Sequence, residues 1–229
     1  FPWVGMLELV RLADVYVHVT HVQYVKGFAN RVQVKHAGGS HWLTVPVKRN
    51  GQDQLIRDTE IDDTKPWRAR TMDTLRNFYA RAPFRDEMLA LAEPVVHLQT
   101  NRLAELDIAS MHALLDYFEV ETPMHDSSAL PISGAKTDMV RSLVAAVGGT
   151  CYVTAHGALD YLDHESFERD GISVEYIDYQ KREYPQLHGP FTPYVSALDL
   201  VANMGKAGRD LIASPTVPWR DMLARGVPP

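Results

Sequence analysis

Apolar and polar positions trade places along this chain with two distinct periods. Val15, Val17 and Val19 alternate with Tyr16, His18 and Thr20, the two-residue period of a half-buried strand, and a short helix is predicted just ahead of them over residues 6–13. Residues 31–35 and 41–47 predict two more strands joined by the turn-forming Gly38-Gly39-Ser40, hence a hairpin. Beyond it the period lengthens. Thr64-Lys65-Pro66 starts a helix in which Trp67, Thr71, Leu75 and Phe78 share one face, with proline placed where its missing N–H costs least; Ala82-Pro83-Phe84 ends it. Leu103, Leu106, Leu114, Leu115 and Phe118 mark a longer helix. A short edge strand is predicted over 120–124, where Pro123 excludes a central position.

The second half alternates helix and strand. Met139, Val140, Leu143, Val144 and Val147 form a helical stripe that stops at Gly148-Gly149, and residues 150–154 predict a buried strand. A helix over about 158–169 and a strand over 172–177 complete a βαβ-like unit, which favours parallel pairing. Ser196 is placed to cap a last helix carrying Leu200, Val201 and Met204 and closed by Gly205. The fold class is therefore α/β, a mixed sheet flanked by helices, with an N-terminal hairpin-containing portion and a C-terminal βαβ-like unit. Residues 1–229 are expected to form a single α/β domain, with 1–125 and 126–229 as its subdomains.

Composition narrows the function classes. At 229 residues and 45% hydrophobic content the chain can bury a full core. A formal net charge of −6 and the lack of a lysine-arginine block argue against nucleic acid. The single cysteine, Cys151, excludes an internal disulfide framework and suits a reducing cytoplasm. No stretch is apolar for the roughly twenty residues a membrane helix needs, so no membrane is expected. The chain opens on Phe1-Pro2-Trp3 without an initiator methionine, and native residues belonging to the site are expected ahead of it.

Several groups suit chemistry. Gln23, Asn30 and Arg31 offer amides and a planar cation for a carbonyl, carboxylate or phosphate, with His21 as a general base; the alternative is that these amides stitch loop backbone together. Cys151 is the one thiolate nucleophile to be had, with His156 five residues on; the alternative is a small core residue. His18, His125 and His188 are further bases. Lys136-Thr137-Asp138, with Ser127-Ser128 upstream, suits an anion at a helix start or simple capping. Tyr184-Pro185-Gln186 and Phe191-Thr192-Pro193 suit an aromatic-proline wall with Gln186 as a substrate contact; the alternative is core packing. The ten histidines show no metal-ligand spacing, although His36 and His41 flank a turn and can converge. With no Walker loop and no GxGxxG, no cofactor is predicted.

An ordered set of short motifs then carries a resemblance. Phe1-Pro2-Trp3-Val4-Gly5, Val22-Gln23-Tyr24, Asn30-Arg31, Trp42-Leu43-Thr44-Val45-Pro46-Val47 and Ala82-Pro83-Phe84 resemble the WbqC-like proteins. Ser127-Ser128, Lys136-Thr137, Tyr152, Gly157-Ala158, Tyr161, Tyr184-Pro185-Gln186, Phe191, Pro193, Ser196, Asp199 and Asn203-Met204-Gly205 continue it over nearly the whole chain. The chain departs from the family pattern in lacking a His-Gln-Pro leader, in having Thr20-His21 where an acidic pair often stands, and in carrying Cys151, which matches no family cysteine.

The resemblance implies a role in making surface polysaccharides or specialised metabolites, beside carrier proteins and adenylating enzymes. In size and type the chain is also similar to the condensing enzymes of lincosamide pathways, which join a carrier-bound amino acid to an amino sugar. The resulting expectation is an amide-forming acyl or aminoacyl transferase. Its partners are an acyl or peptidyl carrier protein and a small amine or amino sugar; Cys151, His21 and His156 are catalytic, and Gln23, Asn30, Arg31, Lys136 and Gln186 bind substrate. The competing expectations are a sugar-nucleotide transferase, with Arg31, Lys48 and Lys136 on phosphates, and a non-catalytic carrier-binding module.

Overall fold

A computed structural model describes residues 1–49, 51 and 53–225. In chain order its elements are α1 (Val4–Leu12), β1 (Tyr16–His18), β2 (Arg31–His36), β3 (Gly39–Thr44), α2 (Trp67–Phe78), α3 (Arg85–Val96), α4 (Leu103–Tyr117), β4 (Met124–Asp126), α5 (Lys136–Ala146), β5 (Cys151–Thr154), α6 (His164–Arg169), β6 (Ser173–Ile177), α7 (Ala197–Met204), β7 (Thr216–Pro218) and α8 (Trp219–Arg225). The fold is mixed α/β, with small sheets of parallel, antiparallel and mixed strands flanked by helices. Two compact units are interleaved in sequence. The first takes Phe1–Leu7, Thr20–Glu121 and Lys181–Ile212; the second takes Glu8–Val19, Thr122–Gln180 and the chain from Ala213 onward.

In the first unit β2 and β3 form the expected antiparallel hairpin, with His36 opposite Gly39, so that the turn proper is Ala37-Gly38 and Gly39 already opens β3 with φ +112°. Helices α2, α3, α4 and α7 pack around Leu75, Tyr79, Met88, Leu103, Leu114, Leu115, Leu200 and Val201, all fully buried or within 1% of it. Each such side chain contributes roughly 1.5–3 kcal/mol by leaving water. Helix α3 falls on a segment that the apolar period does not mark. Pro94 in its last turn and a weakly amphipathic sequence hide it, and burial of Met88, Ala92, Val95 and Val96 against neighbouring helices holds it. Ser196 caps α7 by accepting from the Leu198 N–H, and its hydroxyl donates to the Phe1 carbonyl at 3.0 Å. Gly205 ends that helix at φ +57°, ψ −146°, where a Cβ would stand 2.6 Å from the Phe84 ring; only glycine fits.

The second unit contains a three-stranded sheet in the order β5-β6-β7, with β5 parallel to β6 and β7 antiparallel to it, and a separate parallel pair of β1 with β4. Val140, Val144, Phe167, Val174, Tyr176, Val217 and Met222 make its core. The parallel β5-α6-β6 arrangement is the expected βαβ-like unit. Its details differ: the helix expected over 158–169 is one 3₁₀ turn at His156–Ala158 followed by α6, because the Asp163 carboxylate caps a new start through Ser166 N–H. The edge strand expected over 120–124 begins instead at Met124, past Pro123, whose carbonyl accepts from Tyr16 N–H at 2.9 Å. Strand β5 is not buried throughout; it opens on an exposed Cys151 and becomes buried only at Thr154. Beyond the expected last helix, β7 and α8 add a strand and a helix to this unit. No helix among the described residues is long and apolar enough to cross a membrane.

Candidate functional site

The N-terminal polar cluster is built by two backbone pairings. Residues 20–24 run antiparallel to 54–57, with Tyr24 N–H donating to the Gln54 carbonyl at 2.7 Å and Ile56 N–H to the Val22 carbonyl at 2.9 Å. Asn30 closes the next loop: its Oδ1 accepts from Gly27 N–H at 3.4 Å and its Nδ2 donates to the Val45 carbonyl at 3.0 Å. The buried amide of Asn30 is thus occupied by backbone and holds the chain at the point where β2 begins. Arg31 follows immediately. Its guanidinium lies over the Trp42 ring, 4.3 Å from the centroid, and its Nε is sealed from solvent without a hydrogen-bond partner among the described residues.

Tyr24 is the hub of this cluster. Partial burial raises its phenol, the guanidinium groups of Arg49 and Arg31 act against that, and Asp107 raises it further, so each of these three charged side chains is felt at Tyr24. Asp107 stands on α4 four residues after Leu103 and four before Met111, on the stripe that buries Leu103, Ser110, Met111 and Leu114. Burial pushes its carboxyl up to about 7. The residue keeps partial solvent access, and its carboxyl makes no hydrogen bond or ion pair with the described residues. A half-buried carboxyl that titrates near neutrality and is not spoken for by the fold is equipped to take and return a proton.

A second polar centre in the same unit is fully occupied. Asp199, in the buried helix α7, accepts from Tyr79 Oη and Tyr184 Oη at 2.9 Å each and from Asn203 Nδ2 at 3.2 Å. Gln186 donates to Tyr184 Oη at 3.0 Å and to the Thr192 carbonyl at 3.1 Å, and accepts from Thr192 N–H and from Lys35 Nζ. Lys35, only 3% exposed, also donates to the carbonyls of Gly189 and Pro190. Burial raises the Asp199 carboxyl, opposed by the two phenols and the charge of Lys35; burial likewise lowers Lys35, opposed by Asp199. All partners are satisfied internally, so this centre rigidifies the loop over 184–193 and presents no open valence to a ligand.

The predicted site residues therefore divide. His21, Gln23, Asn30, Arg31 and Gln186 lie in the first unit, with Gln23 exposed and bridged to Leu55, and Gln186 committed to the Lys35–Asp199 network. Cys151, His156 and Lys136 lie in the second. There Cys151 begins β5 and His156 follows its end, which at about 3.3 Å per residue sets them at opposite ends of the strand rather than within hydrogen-bond reach. The exposed thiol corrects the alternative that Cys151 is a buried core residue. Lys136 is exposed at the first position of α5 with φ +50°. His36 and His41 do converge, with ring centroids 6.0 Å apart, and both rings pack on Phe78. No group of three or more His, Cys, Asp or Glu among the described residues is arranged to hold a metal ion.

Asp107, Tyr24 and Arg49 are functional candidates that motif spacing does not single out. Asp107 had one visible signal: an acid on the apolar stripe of an amphipathic helix, where it breaks the pattern without a local partner.

Comparison with known proteins bears on the whole chain. An uncharacterised protein, Rv1507c of Mycobacterium tuberculosis (strain ATCC 25618 / H37Rv), is 32% identical over 214 residues, which cover 92% of this chain and 93% of that protein. No solved structure matches this chain. The model of the WbqC-like protein family matches residues 1–211, a span that takes in Tyr24, Arg31, Asp107 and the Asp199 network. The chain belongs to the WbqC-like protein family.

Proposed function

We propose that this protein is an amide-forming acyl or aminoacyl transferase that joins a carrier-bound thioester to a small amine, with Asp107 as the proton-transferring group. The observation that carries this reading is the Asp107 carboxyl, raised to about 7 and unpaired among the described residues, beside a phenol with two guanidinium groups in electrostatic range. The neutral amine attacks the thioester carbonyl, the N–C bond forms and the C–S bond breaks. Asp107 takes the proton released by the amine and returns it to the departing thiolate, so it serves as base and then acid near its own pKa. Arg31, Arg49 and Tyr24 supply the positive field and donor for the oxygen that becomes anionic in the tetrahedral intermediate. Direct attack is favoured over an acyl-enzyme, because Cys151 and His156 stand at opposite ends of β5.

The test is incubation with a panel of loaded carrier proteins and amines, read by mass spectrometry. Amide product is expected with a cognate pair. Asp107→Asn is expected to lower kcat by about 10²-fold or more, with KM little changed and the limb near pH 7 lost from the rate profile. Cys151→Ala is expected to retain full turnover. Failure of every pair to give amide sinks the transfer reading, whereas full activity in Asp107→Asn removes only Asp107 from its role.

A further inference from the structure

We propose that the face around the β2–β3 hairpin docks an acidic protein, the carrier that presents the thioester, and this rests on the transfer reading above. Its basis is a charge void. Between Asp14 and Asp53 the chain contains no Asp or Glu, yet it holds Lys26, Arg31, Lys35, Lys48 and Arg49, in a protein whose formal net charge is −6. Folding withdraws two of these cations: Lys35 is buried among loop carbonyls and Lys48 pairs with Glu60 at 3.0 Å. Lys26, Arg31 and Arg49 remain without an ion pair among the described residues, the first and last of them exposed.

The same segment displays an apolar ridge. Val25 is 70% exposed, Phe28 79% and Trp42 37%, and the Phe28 and Trp42 rings stand 6.3 Å apart. Five of the six residues of β3 are exposed, and β3 pairs only with β2 among the described residues. Exposed aromatics, one of them carrying Arg31 on its ring and both in a segment that holds the unpaired Lys26 and no acid, match a partner that offers an apolar contact ringed by carboxylates. Arg31 ties this ridge to the candidate site, since it stacks on Trp42 and also lies within the electrostatic range of Tyr24. A partner seated on Phe28 and Trp42 would therefore present its cargo beside the cluster of Tyr24. Three free cations on a net-acidic molecule are too few for a phosphate backbone, which favours protein over nucleic acid as the occupant.

The experiment measures fluorescence polarisation of labelled holo acyl and peptidyl carrier proteins titrated with the full chain, with single-stranded DNA and RNA as competing probes. At least one carrier is expected to bind with micromolar affinity. Phe28→Ser combined with Lys26→Glu is expected to weaken that binding by about tenfold or more, and raising salt from about 50 to 300 mM to weaken it several-fold. Asp107→Asn is expected to bind like the parent chain, which separates docking from chemistry. The proposal is overturned if no carrier binds below about 1 mM, if the double variant binds unchanged, if a nucleic acid binds more tightly, or if the ridge proves to pair two copies of this chain in sedimentation. Amide formation undiminished in the double variant at sub-saturating carrier would overturn the docking face and leave the transfer reading standing.

Discussion

Asp107 occupies a helix position that packing alone would give to leucine, and its cost to stability can be measured. Its carboxyl titrates near 7 in the folded chain and near 3.9 in an unfolded one, so between those values the folded state holds a proton that the unfolded state has lost. The stability tied to that proton is complete below about pH 4 and disappears as the pH climbs through 7. Asp107→Asn should therefore raise Tm at pH 8, by on the order of 5 °C, and by clearly less at pH 5. Equal shifts at both pH values would show that the carboxyl is not desolvated as described. The acid was visible in the sequence as an interruption of an apolar stripe. Tyr24, the phenol it acts on, was not, because its place is set by a pairing of residues 20–24 with 54–57 that no local period encodes.

At the scale of elements, β2 serves two masters. Arg31 at its start faces the candidate site, while Lys35, four residues on and about 13 Å along the strand, holds the loop over 186–190 through Gln186, Gly189 and Pro190. Lys35→Met would leave the Gly189 and Pro190 carbonyls without that donor, leave Gln186 Oε1 with only Thr192 N–H, and deprive Asp199 of a cation that acts on it. A loss of about 2 kcal/mol in denaturant melts is expected, with faster amide exchange over 186–190; unchanged exchange there would show that the loop is held by something else. Elements with a strong local signature were legible in advance: α2 from Pro66 and its apolar face, α5 from its stripe and terminating glycines, α7 from the cap Ser196 and from Gly205, the hairpin from Gly38-Gly39. Helix α3 was not, since Pro94 argues against it locally and only burial beside α2, α4 and α7 argues for it.

For the molecule as a whole, the interleaving of the two units matters most. The first unit draws its core from three separated stretches, and α7, supplied by residues 181–212, provides Asp199, Leu200 and Val201 to helices encoded before residue 121. A fragment ending at Glu121 would strand Tyr79 without its carboxylate and expose the apolar surface that α7 covers. It is expected to show no cooperative thermal transition by calorimetry, and addition of a 181–212 peptide is expected to restore one. A sharp transition in the fragment alone would mean that its helices suffice. Hydrophobic periodicity marks each of these stretches, but it carries no label saying which stretch completes which core.

If the proposed transfer is this protein's reaction, its thioester substrate is an acylating agent and every accessible lysine on the chain is a target for adventitious modification. The amine on which the loop beside Asp199 depends is the one least open to that damage. Lys35 spends its protons on Gln186, Gly189 and Pro190 and shows almost none of its surface to solvent, so the latch over 186–190 is shielded from any acylating reagent in the surrounding water.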